Sequence, residues 1–139
     1  MRSDHLLLMA ACLALAACAG GGAGASSAGN SPDGRIDPQA LKVTGEPRTC
    51  IRNDSATSTR PAAENVLMFR QSSNTWFRND LRGACPGLRQ NATLLFRNAS
   101  SRYCEMDSFD VLDPITRTSF GTCVLGKFTP VEVPRGARF

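Results

Sequence analysis

The sequence predicts an all-β domain: a small antiparallel barrel or sandwich of five to six short strands, carried behind an exported leader and a flexible tether. Three observations predict it. No long window shows helical periodicity; short apolar runs alternate with breaks rich in Ser, Asn, Gly and Pro, which is how strands and their turns read. Four cysteines, Cys50, Cys85, Cys104 and Cys123, sit in the compact part of the chain. The chain also opens with an export pattern, and exported small domains commonly rely on cross-links.

Residues 1–17 read as a lipoprotein signal peptide. Arg2 supplies the positive charge, although Asp4 dilutes it, and residues 6–17 are apolar apart from Cys12. That run is shorter than the roughly 20 residues of a membrane-spanning helix. Leu15-Ala16-Ala17-Cys18 closes it and fits the lipobox pattern at every position, so Cys18 is the expected lipidation site. Cys12 is a poorer match because too few apolar residues precede it. Each buried methylene adds about 0.8 kcal/mol, so the several acyl chains of such an anchor would hold firmly to a membrane. Ala19 follows the cysteine where Asp would signal retention in the inner membrane. The pattern therefore gives the outer membrane, facing the periplasm, as the address.

Cleavage before Cys18 removes Arg2, Asp4 and His5 and leaves the net charge at +4. His5 is the sole histidine, so the mature chain holds none. This excludes Ser-His-Asp and Cys-His nucleophilic systems, His-ligated zinc and the usual pH switch. Residues 18–47 are mostly Gly, Ala, Ser, Asn and Pro and read as a flexible tether, although Ala40-Leu41-Lys42-Val43 can dock as a short extended piece. Residues 48–134 form the folded domain, and 135–139 a disordered tail. Domains of this size bury a modest share of their surface and gain from covalent support. Four cysteines allow three disulfide connectivities. The absence of Cys-x-x-Cys argues against a redox pair or a four-thiolate zinc site.

The strands follow in order. Residues 50–53 open the domain. Residues 66–70 and 75–78 form a hairpin in which a three-residue loop, Ser72 to Asn74, sets Phe69 opposite Phe77 and Arg70 opposite Trp76. A two-residue loop would mix the faces, and a one-residue slip sends the apolar set into water. Leu67, Phe69 and Phe77 then face the core, and Arg70, Trp76 and Arg78 the other side. Residues 82–88 are a turn-rich corner. A second hairpin is expected from residues 93–97 and 102–106, pairing Phe96 with Cys104 and Leu94 with Met106 and leaving Arg97, Tyr103 and Glu105 outward. Residues 108–112 and 122–128 complete the set, with Pro114, Pro130 and Pro134 as breaks.

Six pieces occur in a telling order: Cys50-Ile51; Val66-Leu67-Met68-Phe69; Trp76-Phe77-Arg78-Asn79-Asp80-Leu81; Cys85-Pro86-Gly87-Leu88; Tyr103-Cys104-x-x-Asp107; and Gly121-Thr122-Cys123-Val124-Leu125-Gly126-Lys127-Phe128. Together they resemble DUF6491, a bacterial family of small exported envelope proteins, often lipoproteins, known only as a domain of unknown function. The resemblance covers roughly residues 50–130. It implies an exported, mostly β domain with paired cysteines and no assigned activity. It also implies the pairing Cys85–Cys123, which leaves Cys50–Cys104. The chain departs from the pattern at residues 54–65, where relatives tend to carry a basic, Asp-rich segment.

Two constellations could carry chemistry. Glu105, Asp107, Asp110 and Asp113 are close in sequence, and paired carboxylates about 5–9 Å apart serve glycoside hydrolysis, while several can hold calcium. Their spacing misses the Asp-x-Asp-x-Asp-Gly calcium loop, and solvated strand edges facing arginines explain them better. The recurring Phe-Arg step at Phe69-Arg70, Phe77-Arg78 and Phe96-Arg97 is the second. If the two hairpins are neighbours, Arg70, Arg78 and Arg97 make a basic stripe beside Trp76 and Tyr103, suited to an anionic envelope polymer or an envelope protein. A solvated face balanced by acids is the plainer reading of the same residues. The mix would also suit single-stranded nucleic acid, which an envelope address disfavours. Nothing calls for a metal or a cofactor. The function expected is a non-enzymatic, lipid-anchored binding or structural module of the cell envelope; the alternative is a carboxylate-dependent hydrolase of envelope polymers.

Overall fold

A computed structural model describes residues 33–97 and 100–139. The leader, Cys18 and the first part of the tether lie outside the described residues, as does Asn98 of the expected second hairpin loop. Among the described residues the domain is all-β, with nine strands in three antiparallel sheets arranged as a sandwich and one 3-10 turn at Pro38–Ala40. The strands are β1 (Cys50–Arg52), β2 (Ser58–Ala63), β3 (Val66–Arg70), β4 (Trp76–Asp80), β5 (Thr93–Phe96), β6 (Arg102–Cys104), β7 (Ser108–Leu112), β8 (Ser119–Val124) and β9 (Phe128–Val131). One sheet runs β2-β3-β4-β9, a second β5-β7-β8, and β1 pairs with β6 as a ribbon.

The first hairpin has the register that alternation demands. Phe69 lies opposite Phe77 and Arg70 opposite Trp76. The Gln71 amide donates to the Thr75 carbonyl at 3.0 Å and closes a loop of Ser72, Ser73 and Asn74. Leu67, Phe69 and Phe77 are buried in the main core with Phe109 and Val111 of β7, Cys123 of β8, Leu125 and Phe128. The rings interlock at centroid distances of 5.2 Å for Phe69–Phe128 and 5.1 Å for Phe96–Phe109, within the range that favours aromatic pairs.

The second expected hairpin does not form. β5 pairs with β7 instead, which sets Phe96 opposite Phe109 and Leu94 opposite Val111. β6 pairs with β1, so Cys104 faces Cys50 and Tyr103 faces Ile51. The cause is local. A turn begins at Cys104: its amide donates to the Asp107 carboxylate at 2.7 Å, and its carbonyl accepts from the Asp107 amide at 3.1 Å. Met106 sits at φ 74°, which ends any strand there, and its side chain is exposed. The chain that leaves this turn, β7, is free to lie between β5 and β8.

Two disulfides join Cys50 to Cys104 and Cys85 to Cys123, the pairing that the family resemblance implies. The first ties the β1–β6 ribbon across its register; the second ties β8 to the corner after β4. With partners 54 and 38 positions apart in sequence, each removes about 4 kcal/mol of unfolded-chain entropy in the loop-closure picture.

The two segments that flank the sheets, residues 36–48 and 133–139, are more ordered than their composition suggests. The end of the range read as tether, with Arg48 after it, lies along β9 from residue 42 to 48. The Thr44 amide donates to the Pro130 carbonyl at 2.9 Å, the Glu132 amide to the Lys42 carbonyl at 2.9 Å, and Arg48 and Phe128 exchange a pair of bonds at 2.8 Å. The segment thereby covers an edge that would otherwise present unpaired backbone groups. Residues 133–139, read as the last of the domain and a disordered tail, return over the same face; the Ile36 amide donates to the Arg138 carbonyl at 2.9 Å.

Candidate functional site

The register of the first sheet decides which side chains share its outer face. Arg60 lies opposite Met68 and Met68 opposite Arg78, while Arg70 lies opposite Trp76. A strand alternates with period two, so Arg60, Met68, Arg70, Trp76 and Arg78 all point away from the main core. This face is not open. Met68, Leu41 and Val131 form a second small buried cluster, flanked by Ile36, Ala62, Trp76, Val133 and Phe139. The Trp76 and Phe139 rings lie 5.9 Å apart.

The covering leaves a groove of about 390 Å³ at one end, between the β3–β4 loop and the C-terminal segment. Arg60, Arg70, Ser73, Asn74, Trp76 and Arg135 line it, with no carboxylate among the lining residues. The Arg70 Nε donates to the Ser72 carbonyl at 3.0 Å, and its guanidinium stands 5.5 Å from the centre of the Trp76 ring. Arg60 and Arg135 form no ion pair among the described residues. Arg138 shares one adjoining hollow with Arg60 and another with Arg135. Guanidinium forks beside an indole face form a surface for an anion that also carries something to stack.

Of the five residues expected on a binding face, the structure brings Arg70 and Trp76 together here. Arg78 shares the face but lies under the 3-10 turn: its Nε donates to Asp80 at 3.0 Å, its Nη1 to the Pro38 carbonyl at 3.2 Å, and its side chain is only 13% exposed. Arg97 belongs to the other sheet, where it is bonded to Asp110 through both Nε, at 2.8 Å, and Nη2. Tyr103 does not point outward. It faces the core side, 5.4 Å from Phe69 and 4.7 Å from Phe96, because its register partner Ile51 is buried. Burial pushes its phenol up. The single stripe is therefore not assembled. Sequence reasoning missed Arg60 and Arg135. Arg60 lies on a strand with Pro61 at its centre, and Arg135 in a segment too polar to suggest docking.

The four carboxylates each have a local partner. Glu105 accepts from Arg82 at 2.8 Å. Asp107 caps the turn described above. Asp110 is 4% exposed and accepts from the Thr122 hydroxyl at 2.6 Å as well as from Arg97. The Thr122 bond, then the Arg97 bond, holds its carboxyl below the usual carboxylate range. Asp113 accepts from the Thr116 and Ile115 amides, both at 2.9 Å, and from Arg89 at 3.0 Å; the Thr116 amide, then that of Ile115, holds it low as well. Among the described residues no group of three or more Cys, His, Asp or Glu side chains could hold a metal ion.

The model of a family described as "Family of unknown function (DUF6491)" matches residues 1–135. The chain belongs to this family. No curated protein and no solved structure matches it. The DUF6491 motif pieces serve the fold. Cys85 and Cys123 are bonded to each other. Gly87, at φ 74°, leaves room for the Phe120 ring against its Cα. Asn79 is fully buried and spends its whole amide on one residue: its Nδ2 donates to the Gly126 carbonyl at 2.8 Å, and its Oδ1 accepts from the Gly126 amide at 2.9 Å. A Cβ on Gly126 would run into the Asp80 carbonyl. Leu125 and Phe128, on either side of this clamp, are fully buried. In this chain the motif pieces build the core and its cross-links, while the arginine groove draws only Arg70 and Trp76 from their neighbourhood.

Proposed function

We propose that this protein is a lipid-anchored component of the cell envelope, at the outer membrane facing the periplasm, whose folded domain is a non-enzymatic binding module for an anionic partner. The observation that carries the reading is the complete pairing of the domain's four cysteines. Structural disulfides of this kind belong to oxidising compartments, and the lipobox at Cys18 supplies a route there. The binding role rests on the carboxylate-free groove with its three arginines and Trp76. The bonded carboxylates favour structural duties for Glu105, Asp107, Asp110 and Asp113 over hydrolysis.

Radiolabelled palmitate fed to a Gram-negative host expressing the full chain tests the anchor. Label should enter the wild-type protein, which should fractionate with membranes. Cys18→Ser should lose both. An unlabelled, soluble wild-type protein would overturn the reading.

A further inference from the structure

We infer that the groove between the β3–β4 loop and the C-terminal segment is a phosphate-monoester site, filled by the headgroup of an anionic membrane lipid of the phosphatidic acid type. This rests on the envelope reading above and names the ligand class of the same site.

The class follows from the donors. Three guanidinium groups line one concavity, two of them free of ion pairs among the described residues. Each guanidinium carries five N–H donors in a planar fork and cannot give up its proton. A carboxylate offers two oxygens, which one fork can satisfy. A phosphate monoester offers three terminal oxygens on a tetrahedral frame, so it can engage forks arriving from different directions, here from β2, β3 and the C-terminal segment. Ser73 and Asn74 add neutral donors at the rim. Trp76 supplies an apolar wall that a bare inorganic ion would not use and that a glycerol or sugar moiety would cover.

The source follows from where the chain enters. Asp33 and Gly34, the first described residues, line the hollow shared with Arg135 and Arg138. Asp33 lies fifteen positions after Cys18. A fully extended chain of that length spans at most about 50 Å, so a lipid on Cys18 holds this face within reach of the bilayer. Arg60, Arg70, Arg135 and Arg138 lie on this side or beside it, while Arg35 nearby is paired with Asp33 at 3.0 Å. Each basic residue brought near an anionic surface adds attraction within a Debye length.

Trp76 is the only tryptophan in the chain, so tryptophan emission, excited beyond the tyrosine band, reports on this groove. Glycerol 1-phosphate titrated into the full-length mature protein should change its emission saturably, whether or not the anchor is present. Arg60→Gln and Arg135→Gln should each weaken the response about tenfold, the effect of losing one charge-assisted hydrogen bond, while the exposed Lys127→Gln should not. The lipidated protein in phosphatidic-acid-containing vesicles should show less acrylamide quenching of Trp76 than in pure phosphatidylcholine vesicles. No response to glycerol 1-phosphate, or an equal response to sodium chloride at matched ionic strength, overturns the site. A response to glycerol 1-phosphate with equal quenching in the two vesicles overturns the lipid source. A wild-type protein that takes up no palmitate would defeat the anchor reading while leaving the titration unaffected, so the two failures are distinguishable.

Discussion

Both faces of the four-stranded sheet are covered, but by different means. The inner face packs Leu67, Phe69, Phe77 and Phe128 against a second sheet, with two disulfides and the Asn79–Gly126 clamp around it. The outer face packs Met68 and Val131 under two flanking segments, with Leu41 as the main apolar contribution from the first of them. Inside, residues distant in sequence are locked by covalent bonds and interlocking rings. Outside, a thin layer leaves arginines facing a groove. The contrast teaches that this small domain stabilises one side of a sheet heavily and leaves the other side for charge.

Substitutions can break this contrast at several strengths. The largest loss is expected from Phe69→Ala, which empties the centre of the inner core and should cost about 3–5 kcal/mol in denaturant unfolding. Asn79→Ala comes next. It leaves the buried Gly126 amide and carbonyl without partners, at about 1–3 kcal/mol for each group. On the outer face, Leu41→Ala should cost about 2 kcal/mol, at the low end for a buried leucine. Its sharper signature is faster hydrogen exchange at the Thr44 and Arg48 amides, with the β7 amides unchanged. A loss at Leu41 as large as that at Phe69 would erase the distinction between the faces.

Acid offers a gentler probe. The folded state holds Asp110 and Asp113 below their ordinary carboxylate value. A depressed carboxylate contributes stability above its unfolded pKa, near 3.9, and that contribution is lost as pH falls through the folded value. The thermal midpoint should therefore fall below about pH 4, and Asp110→Asn should be less stable at neutral pH but lose less on acidification. The smallest effect is expected from Arg135→Gln, which should change stability by no more than about 0.5 kcal/mol.

The first hairpin was legible because its two strands are neighbours in sequence and their alternation admits one register. The β5–β6 pairing looked equally local and did not occur. The chain turns at Met106, and Cys104 is claimed by Cys50 from 54 residues away. β2 escaped notice because Ser58–Ala63 has little strand propensity and contains Pro61; an edge position tolerates both. The docking of residues 36–48 rests on a few apolar side chains set far apart, among them Ile36 and Leu41, which no local pattern announces. The same holds for the groove. Arg70 and Trp76 could be paired from the hairpin alone, but Arg60 and Arg135 join them only once β2 and the C-terminal segment are in place.

The most direct test is the intact mass of the protein extracted from host membranes without reducing agent. The chain should begin at Cys18, carry the added mass of a diacylglyceryl group with or without an amide-linked acyl chain, and lack four hydrogens for its two disulfides. A retained leader with free thiols at Cys50, Cys85, Cys104 and Cys123 would contradict both the compartment and the cross-linked core.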